Sequence, residues 1–326
     1  MVEPMTHFSV IVPVYNGAET LEACLSALVG QTYPPEQFEI IVVDDGSTDQ
    51  SAQIAANHDV RLISLGSNRG RIVARKTGAE SARFETLVFN DARVIPGPQL
   101  LAQVNQRDYQ PLMPETDADE GDQGGYARLF FLLRSRYYAP YYPASADAEE
   151  YLITSDNFHA LPKGTGCFVC SRSLWLQSQP AVQDKYTSDD TRILEKIVEQ
   201  RPILRTPSIR VRYHQRTAAS HVLSHVLQRG PLFADFYLRP GGRYFMPYAG
   251  MWGFILLSLL LVGLNPRFGA IPAGLILTAF AGITVYLSRR WSDILVVTVY
   301  LPAIVAAFGL GILNWQIRHV FGKGNR

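Results

Sequence analysis

Apolar residues recur in two rhythms along the chain. Between Phe8 and Leu100 short, largely unbroken apolar runs, FSVIVPV (8–14), FEIIVV (38–43), VRLISL (60–65) and TLVFN (86–90), alternate with stretches of helical spacing. Unbroken β-rich runs suit strands covered on both faces by helices. Leu21, Leu25, Leu28 and Val29 give the first intervening helix one buried stripe, and 71–82 fits a third crossover helix. Ser47 and Gln50 have capping-box spacing, which predicts a second helix starting directly after the carboxylates Asp44 and Asp45. The alternation predicts right-handed βαβ units in a mainly parallel sheet, with ligands at the carboxyl ends of its strands.

The second rhythm begins after Arg243. Three spans, 245–264, 268–287 and 294–313, hold no charged residue, and each has the roughly 20 residues needed to cross a bilayer core. Trp252, Trp291 and Trp315 fall near their ends, where indole rings favour the interface. Arg289 and Arg290 mark a cytoplasmic turn by the excess of positive charge on that side, yet a third full crossing then puts Arg318, Lys323 and Arg326 outside. Either the chain crosses three times against that tendency, or one span is re-entrant or lies along the surface. Ala218 to Leu227 is amphipathic: it either lies on the bilayer or packs on the preceding domain. The expected organisation is an α/β domain over 1–215, an interfacial helical segment over 216–243 and a transmembrane domain over 244–326.

Composition sharpens this division. The averages of 47% hydrophobic and 18% charged residues hide a split, because nearly all acidic residues precede Gly242. A net charge of +1 gives no basic excess for nucleic acid. Cys24, Cys167 and Cys170 are too few for a disulfide framework and read as buried, reduced side chains. No secretory signal pattern opens the chain, so the first domain is expected in the cytoplasm. The acidic, glycine-rich 115–125 reads as an exposed loop. The aromatic and basic 126–142 reads as a helix that packs on the domain or faces an acceptor or the membrane.

Polar clusters stand at the predicted strand exits: Pro13, Tyr15 and Asn16 after the first, Asp44 and Asp45 after the second, and Asp91 with Arg93 after the fourth. Farther on, Asp189 and Asp190 open an amphipathic helix through Ile193, Leu194, Ile197 and Val198. Each cluster alone is explained by turns and helix caps; several at one sheet edge indicate a site.

In order, VIVPVYNG, IVVDDGSTD, NRGRIVARKTGA, FNDARVIPGPQLL, GTGCFVCSR, SDDTRIL and LQRG resemble the blocks of family 2 glycosyltransferases of GT-A fold. The resemblance covers about 8–230, and the apolar tail is similar to those of bacterial polysaccharide and lipid-linked glycan synthases. It implies an inverting transfer from a nucleoside diphosphate sugar to a lipid-linked or membrane-proximal acceptor, by an enzyme held in the bacterial inner membrane among its lipids. It assigns Asp190 as the base beside Asp189. Pro13, Tyr15, Asn16, Asp44, Asp45 and Arg75 go to the nucleotide sugar, and Gly164, Thr165, Gly166, Gln228 and Arg229 to the acceptor side.

The chain departs from that family where a second metal-binding Asp is expected, because Arg93 stands there. A guanidinium has no lone pair for Mg²⁺ or Mn²⁺. Three readings follow: Arg93 itself partners the diphosphate without metal, a metal binds through Asp91 with Arg93 turned aside, or catalysis is lost and the domain serves a glycan synthase as a partner. LQRG also lacks the spacing and the Trp of the processive synthases' element, which points to single-sugar addition.

Overall fold

The computed structural model describes residues 6–107, 109–118, 125–142, 147–181, 189–216 and 218–321. The chain divides into two units, Met1–Gly121 with Tyr138–Gln215, and Asp122–Tyr137 with Arg216–Arg326. The segment 122–137 therefore belongs with the second unit, although the sequence places it inside the first.

In chain order the elements are β1 (Phe8–Val14), α1 (Ala18–Val29), β2 (Phe38–Asp44), α2 (Ser51–Ala56), β3 (Arg61–Ser64), α3 (Arg71–Ser81), β4 (Thr86–Asn90), β5 (Val94–Pro96), α4 (Leu100–Asn105), β6 (Leu112–Ala118), α5 (Tyr126–Tyr137), β7 (Tyr151–Ile153), β8 (Cys167–Ser171), α6 (Arg172–Gln177), α7 (Asp189–Gln200) and β9 (Ile203–Tyr213), followed by α8 (Ala219–Tyr237), α9 (Phe245–Leu264), α10 (Ala270–Leu287) and α11 (Trp291–Phe321). The first unit is built on one sheet in the order β3-β2-β1-β4-β8-β6-β9-β5, with β7 also paired to β9. β1 to β4 are parallel to one another, whereas β8 runs antiparallel to β4. The predicted parallel half is therefore present, and a mixed half extends it.

Strand alternation distributes the core over both faces. Val10, Val12 and Val14 pack with Leu21, Leu25 and Leu28 of α1 on one side. Ile11, Ile41 and Val43 pack with Ile72 and Ala74 of α3, and with Ile193, Leu194 and Ile197 of α7, on the other. Each fully buried aliphatic contributes roughly 1.5–3 kcal/mol. Gly78 lets α3 lie directly on β1, since a Cβ there would stand 2.5 Å from Cγ2 of Ile11.

Two sequence expectations change. The helix after the carboxylates begins at Ser51 rather than beside Ser47; Asp49 Oδ1 accepts from the backbone N–H and hydroxyl of Ser51 (3.0 and 2.6 Å), and Gln50 caps nothing with its side chain. The acidic 115–125 is not wholly an exposed loop, because β6 carries Glu115 and Asp117 into the sheet. Glu115 is buried there and pairs with Arg205 at 2.6 Å, while Asp117 pairs with Arg210. Arginines on β9 supply the counter-charge that the local composition does not reveal; burial still pushes the Glu115 carboxyl above its usual range, with Arg205 opposing. Residues 119–124 lie outside the described ones.

In the second unit α8 extends the predicted amphipathic stretch to 19 residues. Its apolar side does not lie bare: Val222 and Val226 pack with Val297, Leu301 and Ile304 of α11. Gly230 and Gly311 meet where these helices cross, and a Cβ on Gly311 would fall 2.2 Å from the Leu227 carbonyl oxygen. α9, the helix 266–287 and α11 are long and apolar enough to cross a membrane.

Replacing Gly78 by Ala tests the α3–β1 contact. Alanine favours an isolated helix by about 1 kcal/mol, but overpacking typically costs about 1–3 kcal/mol, so the unfolding midpoint of the purified chain should fall by about 2–6 °C. Gly97→Ala, with open space around the position, should leave it unchanged.

Candidate active site

The exits of β2, β1 and β4 are neighbours, because the strands are. Their polar residues interlock. The Asn16 backbone N–H donates to the Ser47 hydroxyl (3.0 Å), and its Oδ1 accepts from the Thr48 N–H (2.8 Å). Gly17 N–H donates to Ser51 Oγ and Ala18 N–H to Asp49 Oδ2, so the second loop caps α1. Asn16 adopts the left-handed region at φ 48°, which Asn tolerates better than most residues. This bend leaves Tyr15 47% exposed beside the loop, while Pro13 stays in β1 opposite Val43.

Asp44 and Asp45 have separate tasks. Asp44 Oδ1 accepts from Ser47 N–H at 3.0 Å and shapes its own turn. Asp45, 2% exposed, reaches the loop before α3, its two oxygens accepting from the N–H groups of Arg69 (2.7 Å) and Gly70 (2.8 Å). Burial pushes its carboxyl above the usual range, and those two amides partly oppose the rise. Gly70 has φ 95°, a conformation open to glycine, so the chain turns into α3 where Asp45 grips it.

One turn into α3 stands Arg75, with no exposed surface. Its Nη2 donates to Asp91 Oδ1 at 2.7 Å and lies 3.4 Å from the Thr165 carbonyl oxygen. The Asp91 backbone N–H donates to the Gly166 carbonyl at 2.8 Å. The turn 163–166 is thereby joined to the exit of β4, with Thr165 buried and open space around Gly164. Enclosed in this way, Arg75 acts through Asp91, whose side chain keeps 24% of its surface open. Behind Asp91, burial pushes the Cys24 and Cys167 thiols up to about 12. Both are free, buried thiols, as is Cys170.

Arg93 turns away from Asp91. Its Nη2 pairs with Glu19 at 2.8 Å, and its Nη1 donates to the His214 carbonyl at 3.2 Å. Sequence reasoning missed Glu19 and His214; Glu19 looks like an ordinary acidic first-turn residue, and nothing local links either to position 93.

Asp189 and Asp190 open α7, whose Ile193, Leu194 and Ile197 are buried in the same core cluster as α3. The side chains of this acidic pair lie outside the described ones. Gln228 and Arg229 belong to the second unit, where they lie along α8 against Ser224 and His225. Among the described residues no three His, Cys, Asp or Glu side chains gather to hold a metal.

Residues 9–147 match the family profile described as Glycosyl transferase family 2. Glycosyltransferase AglE of Haloferax volcanii is 37% identical over 106 residues, 31% of this chain and 35% of that protein. Poly-beta-1,6-N-acetyl-D-glucosamine synthase of Staphylococcus epidermidis is 34% identical over 91 residues, 27% of this chain and 22% of that one. The chain thus matches about a third or less of these relatives' length. Among solved structures, mannosyltransferase PcManGT from Pyrobaculum calidifontis in complex with GDP-Man and Mn²⁺ is similar at TM-score 0.59 and 19% identity, covering 96% of this chain and 88% of that one. S. aureus TarS 1–349 in complex with UDP-GlcNAc gives TM-score 0.53 and 18% identity, covering 98% and 93%. The fold of the first unit is accordingly of GT-A type, and residues 9–147 are similar to glycosyl transferase family 2.

Proposed function

We propose that this protein transfers a sugar from a nucleoside diphosphate sugar to a hydroxyl of a lipid-linked or membrane-proximal acceptor, with inversion at the anomeric carbon. The observation that carries the reading is the link from Asp45 through the start of α3 to Arg75 and Asp91, which ties two strand exits and the 163–166 turn together. The stretch that matches the family profile, 9–147, contains Asp45, Arg75 and Asp91. The exposed Tyr15 ring offers a stacking face for a base, and Asn16 fixes where that ring stands. Three helices able to span a bilayer support an acceptor confined to it, with the family domain on the cytoplasmic side of the bacterial inner membrane.

In the reaction Asp190, at the start of α7, takes the proton of the acceptor hydroxyl as its oxygen bonds to the anomeric carbon. The bond from that carbon to the diphosphate breaks on the opposite face, and the leaving group carries away the electron pair. Asp189, the residue before it, takes the helix-terminal position. Gly164 leaves space at the turn for the acceptor.

The donor set at the exit of β4 fits a divalent cation in a limited sense. Magnesium is usually held by one or two carboxylates plus substrate phosphates, and Asp91 supplies one carboxylate with surface open to solvent. A cation held by the protein alone does not fit, because Arg93 occupies the second position and is engaged by Glu19. When bound with the donor, Mg²⁺ or Mn²⁺ supplies positive charge for the departing diphosphate. Arg75 holds Asp91 in place, and Arg93 stays aside.

Two measurements on the purified chain test this reading. Asp190→Asn should lower the transfer rate by about 10²–10⁴-fold, the usual contribution of a positioned base, while donor binding by calorimetry is retained; an unchanged rate removes Asp190 from the role. Arg93→Ala should cost less than about tenfold, and chelation by EDTA should abolish transfer until Mn²⁺ is restored. A loss of about 10²–10³-fold on Arg93→Ala, the scale of a lost transition-state charge contact, together with transfer persisting in EDTA, would return the leaving-group role to Arg93. Donor binding with no transfer or hydrolysis under any condition would favour a non-catalytic partner of a synthase.

A further inference from the structure

The two units carry opposite charge. Asp122–Tyr137 with Arg216–Arg326 hold thirteen Lys and Arg against three Asp and Glu, whereas the first unit holds seventeen against twenty-six. Both acids of the second unit that are described are already paired. Asp235 of α8 binds Arg239, just beyond the end of that helix. Asp293 is 2% exposed and takes Arg128 of α5 in a two-pronged contact, Nε at 2.8 Å and Nη2 at 3.0 Å. The backbone N–H groups of Arg289 and Arg290 also donate to Asp293.

These contacts make α5 a crossbar at one end of the apolar helices. Arg128 ties it to the start of α11, Arg136 lies 5.2 Å from the ring centroid of Tyr286 near the end of α10, and the Tyr137 hydroxyl meets that of Tyr244 just before α9 at 2.9 Å. Around this crossbar Arg136, Arg243, Arg289 and Arg290 have no carboxylate partner among the described residues. All of these except Arg290 lie over aromatic rings: Arg136 over Tyr286, Arg289 over Phe131 at 5.6 Å beside Arg128 at 5.0 Å, and Arg243 over Tyr244 at 5.7 Å. Arginine over an aromatic face is weakly hydrated and presents its N–H fork outward. From here α9 runs its full 20 residues without one buried position.

We propose that this arginine collar binds the phosphate groups of anionic phospholipids at the bilayer surface. A cationic ring at the end of bare apolar helices meets lipid phosphate at the depth where it lies, and clustered Lys and Arg beside a membrane helix are the physical basis of anionic-lipid recognition. The Arg128–Asp293 pair, its carboxylate buried, sets the collar's geometry without taking part in binding. The inference is independent of glycosyl transfer, since it requires neither donor nor turnover.

Native mass spectrometry of the full chain in detergent, titrated with phosphatidylglycerol or with phosphatidylcholine of the same acyl chains, tests it. The wild type should retain phosphatidylglycerol in preference. Each arginine near an anionic surface is worth roughly fivefold, so Arg136→Gln, Arg289→Gln and Arg290→Gln together should cut that preference by at least about tenfold on the same scale. Arg267→Gln, in the turn at the far end of α10, should leave it intact, and three Arg→Lys changes should keep most of it. Arg290→Gln alone, on an exposed turn residue whose backbone contact remains, covers the case in which the triple variant fails to fold and should lose about fivefold. Equal retention of the two lipids by the wild type, or an unaltered preference in the triple variant, would overturn the proposal. So would loss of the bound lipid to millimolar inorganic phosphate, which would indicate a soluble anion as the ligand.

Discussion

A guanidinium with no exposed surface sets the terms for the candidate site. Taking an arginine out of water costs several kcal/mol unless acceptors and a counter-charge meet it. For Arg75 these include Asp91 and the Thr165 carbonyl, so β4, the 163–166 turn and α3 must assemble together around it. Asp45 enforces the same assembly from the other side by gripping the two amides that precede α3. The carboxylate left in view, Asp91, is therefore held by its neighbours before any ligand arrives, as an electrostatic site requires.

The same logic of buried or paired charge recurs through the chain. Glu115 enters the sheet because Arg205 faces it, and Asp293 is buried in the second unit because Arg128 reaches it. In each case the partners are far apart in sequence, and removing one would strand the other. Arg93 follows this pattern on the surface, where Glu19 and the His214 carbonyl draw it away from Asp91. The guanidinium at position 93 makes a strut between α1 and the end of β9.

Much of this was legible in the residues. Unbroken runs such as FSVIVPV announced strands buried on both faces, and polar clusters at their exits announced the loops that interlock beside β1, β2 and β4. Helical spacing at Leu21, Leu25 and Leu28 gave α1 and its buried side. Less legible was anything settled by a distant partner: the burial of Glu115, the orientation of Arg93, and the membership of α5 in the second unit; the start of α2 at Ser51, held by Asp49 rather than Ser47, was also missed. Local periodicity reports one element at a time, whereas these features arise from charge and amide pairs that close only in the folded chain. The division of labour between Asp44 and Asp45 belongs to the same class, since adjacent identical side chains point to different loops.

The central claim is that Arg75 and Asp91 stabilise the fold as a pair. A double-mutant cycle with Arg75→Met, Asp91→Asn and the combined variant, read by unfolding of the purified chain, tests it most directly. The account predicts that the single changes are each strongly destabilising and that the double change costs less than their sum, with a coupling of about 1–3 kcal/mol. Additive losses would show that the two side chains stand near each other without depending on each other, and would contradict the account.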